Sequence, residues 1–286
     1  MRIATVGDAC CDCYLDEDVW YPGGQALNVA VNALHDGAEK AGFLGIVGAD
    51  QRGRVLRELA AGEGVDLSRC RVVQEPTSYW GVRIVDGDRQ FEDRAEECLD
   101  ELYGLRISSA DRMWLRGFDV CHTTNEAGVD ASLEWLHETL PVSYDYSVFA
   151  WEHDDWVAQT APHVDIAFLS GELEDGTRLS EVDILAFARR LHSLGPQLVV
   201  CTQGVRGSIC SHGGMAHCQG VVAVDAVDAM GAGDSFAAAF LVRWFESRDV
   251  AAALAFAAER AGATCTVRGA WGHPQPLRPY AMPRER

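Results

Sequence analysis

The feature that most constrains the fold is a regular alternation of short apolar runs with amphipathic stretches along most of the 286 residues. Residues 2–6 form a β-rich run that stops at Gly7. Residues 25–35 then place Leu27, Ala30, Val31 and Leu34 at i, i+3, i+4 and i+7, the buried stripe of a helix that ends at Gly37. The same rhythm predicts strands at 43–47, 119–123, 142–147, 164–169 and 198–202, and helices at 52–61, 130–140, 182–194, 235–246 and 250–263. A hairpin-like region spans 207–224. Parallel strands need helical crossovers, so this order predicts an α/β fold with a mostly parallel sheet covered on both faces. Residues 79–91 differ: they alternate around Asp86-Gly87, a strong hairpin signal. Together with residues 14–21 they suggest a small accessory sheet. With no repeat and no linker, 1–286 reads as a single domain.

Charge excludes several functions. Lys+Arg minus Asp+Glu is 24 − 43 = −19, and Lys40 is the only lysine. Nucleic acid and anionic lipid are bound through clustered cations, so neither is an expected partner. A Walker A loop needs Gly-Lys-Ser/Thr, whereas Lys40 is followed by Ala41. Any phosphate must therefore be held by backbone amides or arginine. The longest apolar run, 250–258, is too short for a membrane span, and the chain enters a strand pattern directly, so neither a membrane anchor nor a signal peptide is expected. The ten scattered cysteines are expected to be reduced thiols, which points to the cytoplasm. Cys10-Cys11-Asp12-Cys13 lacks zinc spacing.

Three segments carry chemistry. In Asp225-Ala-Val-Asp228-Ala-Met-Gly231-Ala232-Gly233-Asp234 an expected strand at 221–224 runs into a small-residue turn and a helix begins near Gly233. Gly231, Ala232 and Gly233 let an anion approach the backbone at a positive helix end. Asp234 is either a dipole-favoured first-turn carboxylate or a base that accepts a proton from a hydroxyl attacking phosphate. Gly23-Gly24 precede a helix carrying Asn28 in an apolar context; the amide is satisfied either internally or by a polyhydroxylated ligand. Asp12, five residues beyond Gly7, lies near the C-terminal edge of the sheet, where it is a sugar ligand or a solvated acid.

In order and approximate spacing these segments resemble the phosphofructokinase-B/ribokinase family of sugar kinases, over nearly the whole chain. Thr202-Gln-Gly204-Val-Arg-Gly207 is similar to that family's nucleotide-binding turn, and Arg268-Gly269-Ala270 to the segment near its adenine and monovalent-cation sites. The resemblance implies a three-layer α/β/α core with a β-sheet lid formed by about 13–22 and 77–98, ATP as donor, and Mg2+. It implies Asp234 as catalytic base, Gly231–Gly233 as anion hole, Asp12, Gly23, Gly24 and Asn28 at the sugar, and Thr202, Gly204 and Gly207 at the nucleotide. Asp228 would sit near a monovalent cation such as K+. Two positions depart from the family pattern: Ala229 replaces a threonine, and Ser170-Gly171-Glu172-Leu173-Glu174 stands where the magnesium motif should fall, with Glu174, or else Glu172, expected in the metal-water network. Tyr144-Asp145-Tyr146-Ser147, Phe168-Leu169-Ser170 and Gly269-Ala270-Trp271 resemble the branch acting on fructoselysine. The expected reaction is phosphorylation of the 6-hydroxyl of fructoselysine or a related fructosamine. The alternatives are a ribokinase- or fructokinase-type sugar or nucleoside kinase and a non-catalytic ligand sensor. Lid charges Arg83, Arg89 and Arg94, beside Asp88, Glu92, Asp93 and Glu96, are candidates for the amino-acid end of such a substrate. The apolar load of the lid predicts a homodimer through it.

Overall fold

The computed structural model describes residues 1–85, 88–94, 98–173 and 176–277; the side chains of residues 84, 85, 88–90, 93, 94 and 101 are left aside. An eight-stranded sheet forms the centre. Its parallel part runs Lys40–Leu44, Arg2–Val6, Val120–Thr124, Val142–Asp145, Ile166–Ser170 and Leu198–Thr202 in spatial order, and the antiparallel Ser208–His212 and Met215–Gln219 complete it. Neighbouring residues of each strand feed opposite cores, as the period of two requires. Ile3, Phe43, Val120, Phe168 and Val200 pack beneath helices Gln25–His35, Ala232–Ser247 and Val250–Thr264. Ala4, Leu44, Cys121, Leu169 and Cys201 pack on the other face, with Glu181–Leu194 among its helices. The architecture is therefore the expected three-layer α/β/α sandwich. Burial on both faces is why the strands read as near-continuous apolar runs.

A second sheet of five strands orders Gln275–Pro276, Val19–Gly23, Cys10–Tyr14, Tyr79–Val85 and Asp88–Arg94. It contains both expected lid segments and adds a C-terminal strand that the sequence did not suggest. The Asp86-Gly87 turn lies outside the described residues. Pleating sends Cys10, Asp12 and Tyr14 to one face and Cys11 and Cys13 to the other, where both thiols are buried in the main core. Tyr14, Tyr21, Val82 and Met230 form a separate small core on the inner face. Tyr79 and Val82 are thus buried by their own chain, and of the lid's described large apolar side chains Phe91 stays exposed, at 51%.

Other expectations shift. Residues 43–47 divide at Gly45: Lys40–Leu44 joins the main sheet and Ile46–Gly48 pairs with Arg71–Val73. A side chain at Gly45 would collide with the Gly7 carbonyl, so only glycine allows the crossing. Residues 130–140 resolve into a 3-10 turn, Asp130–Ser132, and a short helix, Leu133–His137. The expected strand at 221–224 is absent. Val221, Val222 and Val224 are exposed beyond Met215–Gln219, the last strand of the sheet, where no further strand among the described residues offers a partner.

Candidate active site

Two glycine-led helices meet at the C-terminal edge of the parallel strands, and their amino ends are used differently. Gly24 precedes Gln25–His35 at φ 100°, and a Cβ there would strike Ala9 and the Asp8 carbonyl. No side chain of the adjoining residues caps this helix. Instead Asp8, just beyond the first strand, accepts from the backbone N–H groups of Gln25 (2.8 Å) and Ala26 (3.1 Å). Burial pushes the Asp8 carboxyl up, against the lowering effect of those two amides. A carboxylate therefore already fills this positive end.

The second helix, Ala232–Ser247, starts from Gly231 in the left-handed region, φ 71°, with no side-chain cap. The space over Gly233 is open: an added Cβ would meet nothing within 4 Å. Phe236, Phe240, Leu241 and Trp244 bury the expected stripe and fix the helix on the sheet. A 16-residue helix with an open, glycine-lined start and no side-chain cap leaves its positive end accessible, the type of surface that can receive an anion. Asp234 lies in its first turn.

Asn28 joins the two helices. Its Nδ2 donates to Asp234 Oδ2 (2.8 Å), and its Oδ1 accepts from the Trp271 indole (2.9 Å). The amide is 3% exposed, so both polar atoms are satisfied by protein. Sequence reasoning left open whether Asn28 was satisfied internally or by a ligand, and had no means of seeing Trp271, 243 positions away. Asp12, 4% exposed, projects from the inner lid face, and a Cβ at Gly23 would overlap its carboxylate. Gly23 is thus the gap that seats Asp12, diagonal to it across the Cys10–Tyr14/Val19–Gly23 ladder. Asp12, Gly23, Gly24, Asn28 and Asp234 form one continuous chain of contacts.

Asp228 is fully buried and accepts from Tyr14 Oη (2.5 Å), the Gly269 amide (2.9 Å) and the Met230 amide (3.0 Å). These three bonds tie the lid to the turn before Gly231. Burial and the Asp228 carboxylate push the Tyr14 hydroxyl up, keeping it the donor. Arg268 pairs with Glu17 (2.8 Å) and the Val227 carbonyl (3.2 Å).

Farther along the same edge, Gly204 (φ 55°) and Gly207 (φ 93°) shape the turn after Thr202, and a Cβ at Gly207 would hit the Gln219 carbonyl. The Thr202 carbonyl accepts from the Gly171 amide (2.7 Å), setting Glu172 beside this turn. Glu172 pairs with Arg178 (3.2 Å), whereas Glu174 lies outside the described residues. On the adjacent strand Asp145 accepts from the Ser147 amide, and burial pushes it up to about 6. Of the lid charges, Arg83 pairs with Asp16 and Glu92. The side chains of Arg89, Arg94, Asp88 and Asp93, and all of Glu96, lie outside the described part.

An α/β/α sandwich with a β lid, an open helix end and a carboxylate in its first turn defines a phosphoryl-transfer enzyme of the sugar-kinase type. The sequence matches the pfkB family carbohydrate kinase profile over residues 3–276, and the chain belongs to that family. It is 35% identical over 279 residues to the fructosamine kinase FrlD of Bacillus subtilis (strain 168), covering 97% of this chain and 95% of the relative. It is 33% identical over 272 residues to the fructoselysine 6-kinase of Escherichia coli (strain K12), covering 94% and 99%. In fold it is similar to Arabidopsis thaliana ribokinase complexed with ribose and ATP, at a TM-score of 0.78 and 22% identity over 94% of this chain and 93% of that one.

Proposed function

We propose that this enzyme transfers the γ-phosphoryl group of ATP to the 6-hydroxyl of a fructosamine such as fructoselysine. The observation that carries the chemistry is the placement of Asp234 in the first turn of an open, glycine-led helix and in hydrogen-bond contact with Asn28. The substrate class is supported by the two relatives at 33–35% identity. A cleft of about 200 Å³ bordered by Tyr14, Asp16, Glu17, Val82, Arg83 and Arg268 also offers both signs of charge to an amino-acid end.

Asp12 orients the ketose hydroxyls above Asp234, and Asn28, with both of its polar atoms engaged by protein, acts by holding the Asp234 carboxylate. The hydroxyl oxygen forms the new O–P bond while the bond from phosphorus to the β–γ bridging oxygen breaks, and the proton passes to Asp234 as ADP leaves. At the Gly231–Gly233 turn the Ala232 amide already bonds the Ala229 carbonyl (3.2 Å), so charge on the transferred group falls to the amide of Gly233, and the turn after Thr202 holds the nucleotide. When bound, Mg2+ would supply positive charge to offset the negative charge developing on the phosphates. Among the described residues the carboxylates that would hold it on this edge are Glu172 and Asp145, few enough that most of its ligands would be water and phosphate oxygens. A cytoplasmic setting suits ten free thiols.

Coupled ADP release with fructoselysine, fructose, ribose and a nucleoside tests the assignment. Much higher kcat/KM on fructoselysine than on fructose is expected, because the distal portion contributes binding energy; equal efficiency overturns the substrate. Asp234→Asn should lower turnover by roughly 10²–10⁴-fold, and near-normal turnover removes it as base.

A further inference from the structure

Trp271 lies outside the groups that touch a substrate in this mechanism, yet it bonds an amide that bonds the base. An indole N–H can only donate. Its bond to Asn28 at 2.9 Å therefore selects the amide orientation in which Oδ1 faces Trp271. The opposite orientation would set two donors against each other on that side. It would also turn Oδ1 toward the Asp234 carboxylate, acceptor against acceptor. With the indole in place, Nδ2 faces Asp234 Oδ2 at 2.8 Å. The ring is itself anchored: it is 8% exposed, packs edge-on against His273 with centroids 5.4 Å apart, and follows Gly269, whose amide is held by Asp228.

We propose that Trp271 is a positioning residue for phosphoryl transfer, acting through Asn28 to aim an amide N–H at Asp234 and hold its carboxylate in the proton-accepting form. The inference rests on Asp234 being the base. It also explains why an asparagine in this helix serves the site even with both of its polar atoms engaged by protein.

The test is the acid limb of the kcat pH profile on fructoselysine with saturating Mg-ATP. Trp271→Phe keeps an aromatic ring without the N–H. Site-specific β-(3-benzothienyl)alanine at position 271 keeps the whole bicyclic shape without it, and supplies the measurement should Trp271→Phe not fold. A hydrogen bond to a charged acceptor is strong enough that losing its fixed orientation should move the limb upward by about one pH unit, a roughly tenfold drop in kcat on the acid side. A purely packing role would lower kcat equally at every pH and leave the limb in place, and that result with either variant overturns the inference. Asp234→Asn run in parallel separates the two claims. If it turns over normally, the base assignment falls and the inference with it. If it is inactive while the limb of the position-271 variants stays at its wild-type pH, the inference alone falls.

Discussion

The turn at Gly231 offers a quantitative test, because the structure names both the strain a side chain would suffer and the atom it would meet. Gly231 has φ 71°, and an alanine held there costs about 1–2 kcal/mol on conformational grounds. Its Cβ would also overlap the Ala270 Cβ and lie 2.7 Å from the Ala270 Cα, and Ala270 is 2% exposed with nowhere to retreat. Overpacking of this kind adds roughly 1–3 kcal/mol, so Gly231→Ala should destabilise by about 2–5 kcal/mol in urea unfolding. Ala270→Gly alone should cost about 1–2 kcal/mol, from one lost methyl and a more flexible backbone. The double variant removes the overlap but keeps the backbone strain. Its loss should fall short of the summed single losses by about 1–3 kcal/mol, the coupling expected of residues in direct contact. Turnover should follow the same pattern, since the loop that Ala270 occupies carries Trp271 and the Gly269 amide. Additivity within about 0.5 kcal/mol would refute the contact between turn and loop.

Gly233→Val should leave stability nearly unchanged, because the space above Gly233 is open, yet abolish ATP binding by filling the approach to the amides; calorimetry showing wild-type affinity would remove the anion site from this turn. His122 is 1% exposed and burial lowers it to about 3, so the unfolded chain binds the extra proton between about pH 3 and 6.5 and stability falls as pH drops through that window. From pH 7 to 5 the wild type should lose about 2 kcal/mol relative to His122→Gln, by denaturant unfolding at each pH, and parallel curves for the two proteins would contradict the buried neutral imidazole. The strand Asp88–Arg94 forms the open edge of the lid and exposes Phe91, so we expect a homodimer across it that Phe91→Glu dissociates; a wild-type monomer by light scattering at micromolar concentration would reject it.

The sequence exposed what is local and hid what is not. The helix Gln25–His35 was legible because its apolar stripe recurs at 3.6-residue spacing and Gly37 stops it. The open helix start was legible because Gly-Ala-Gly-Asp concentrates a left-handed glycine, an unshielded backbone and a first-turn carboxylate in four residues. Asp8 was not read as a cap, since it reaches Gln25 from 17 positions away; the missing clue was the absence of any capping side chain next to Gly24. Tyr14 on Asp228, 214 positions apart, depends on how the lid folds over the turn and leaves no local trace. The helix Ser109–Leu115 did carry a signal, the Ser108/Asp111 capping box, but is too short for its periodicity to stand out. Residues 221–224 failed in the other direction: valine-rich sequence looks like strand wherever it occurs, but a strand needs a partner, and the sheet ends one strand earlier.

The placement of the charges explains how so acidic a chain can handle a polyphosphate. Its one lysine, Lys40, begins a parallel strand at the N-terminal edge of the sheet, opposite the site, and pairs with Asp66 at 3.1 Å. Arg268 and Arg206 sit nearer the site, and both are already bonded to protein acceptors, Glu17 and Val227 for one, Leu179 and Gly171 for the other. These two arginines thus hold loops. On the proposed mechanism, attraction for phosphate comes from oriented amides at short range, where a helix end acts within its first turn and distant carboxylates are screened. Such donors work only if the turn is held still, and Asp228 does this with three bonds drawn from the lid, the turn itself and the 268–272 loop. The same loop, through Trp271 and Asn28, reaches the base. The rigidity that amide-based phosphate recognition needs and the aiming of Asp234 therefore come from one loop, and a change in it should be felt at both.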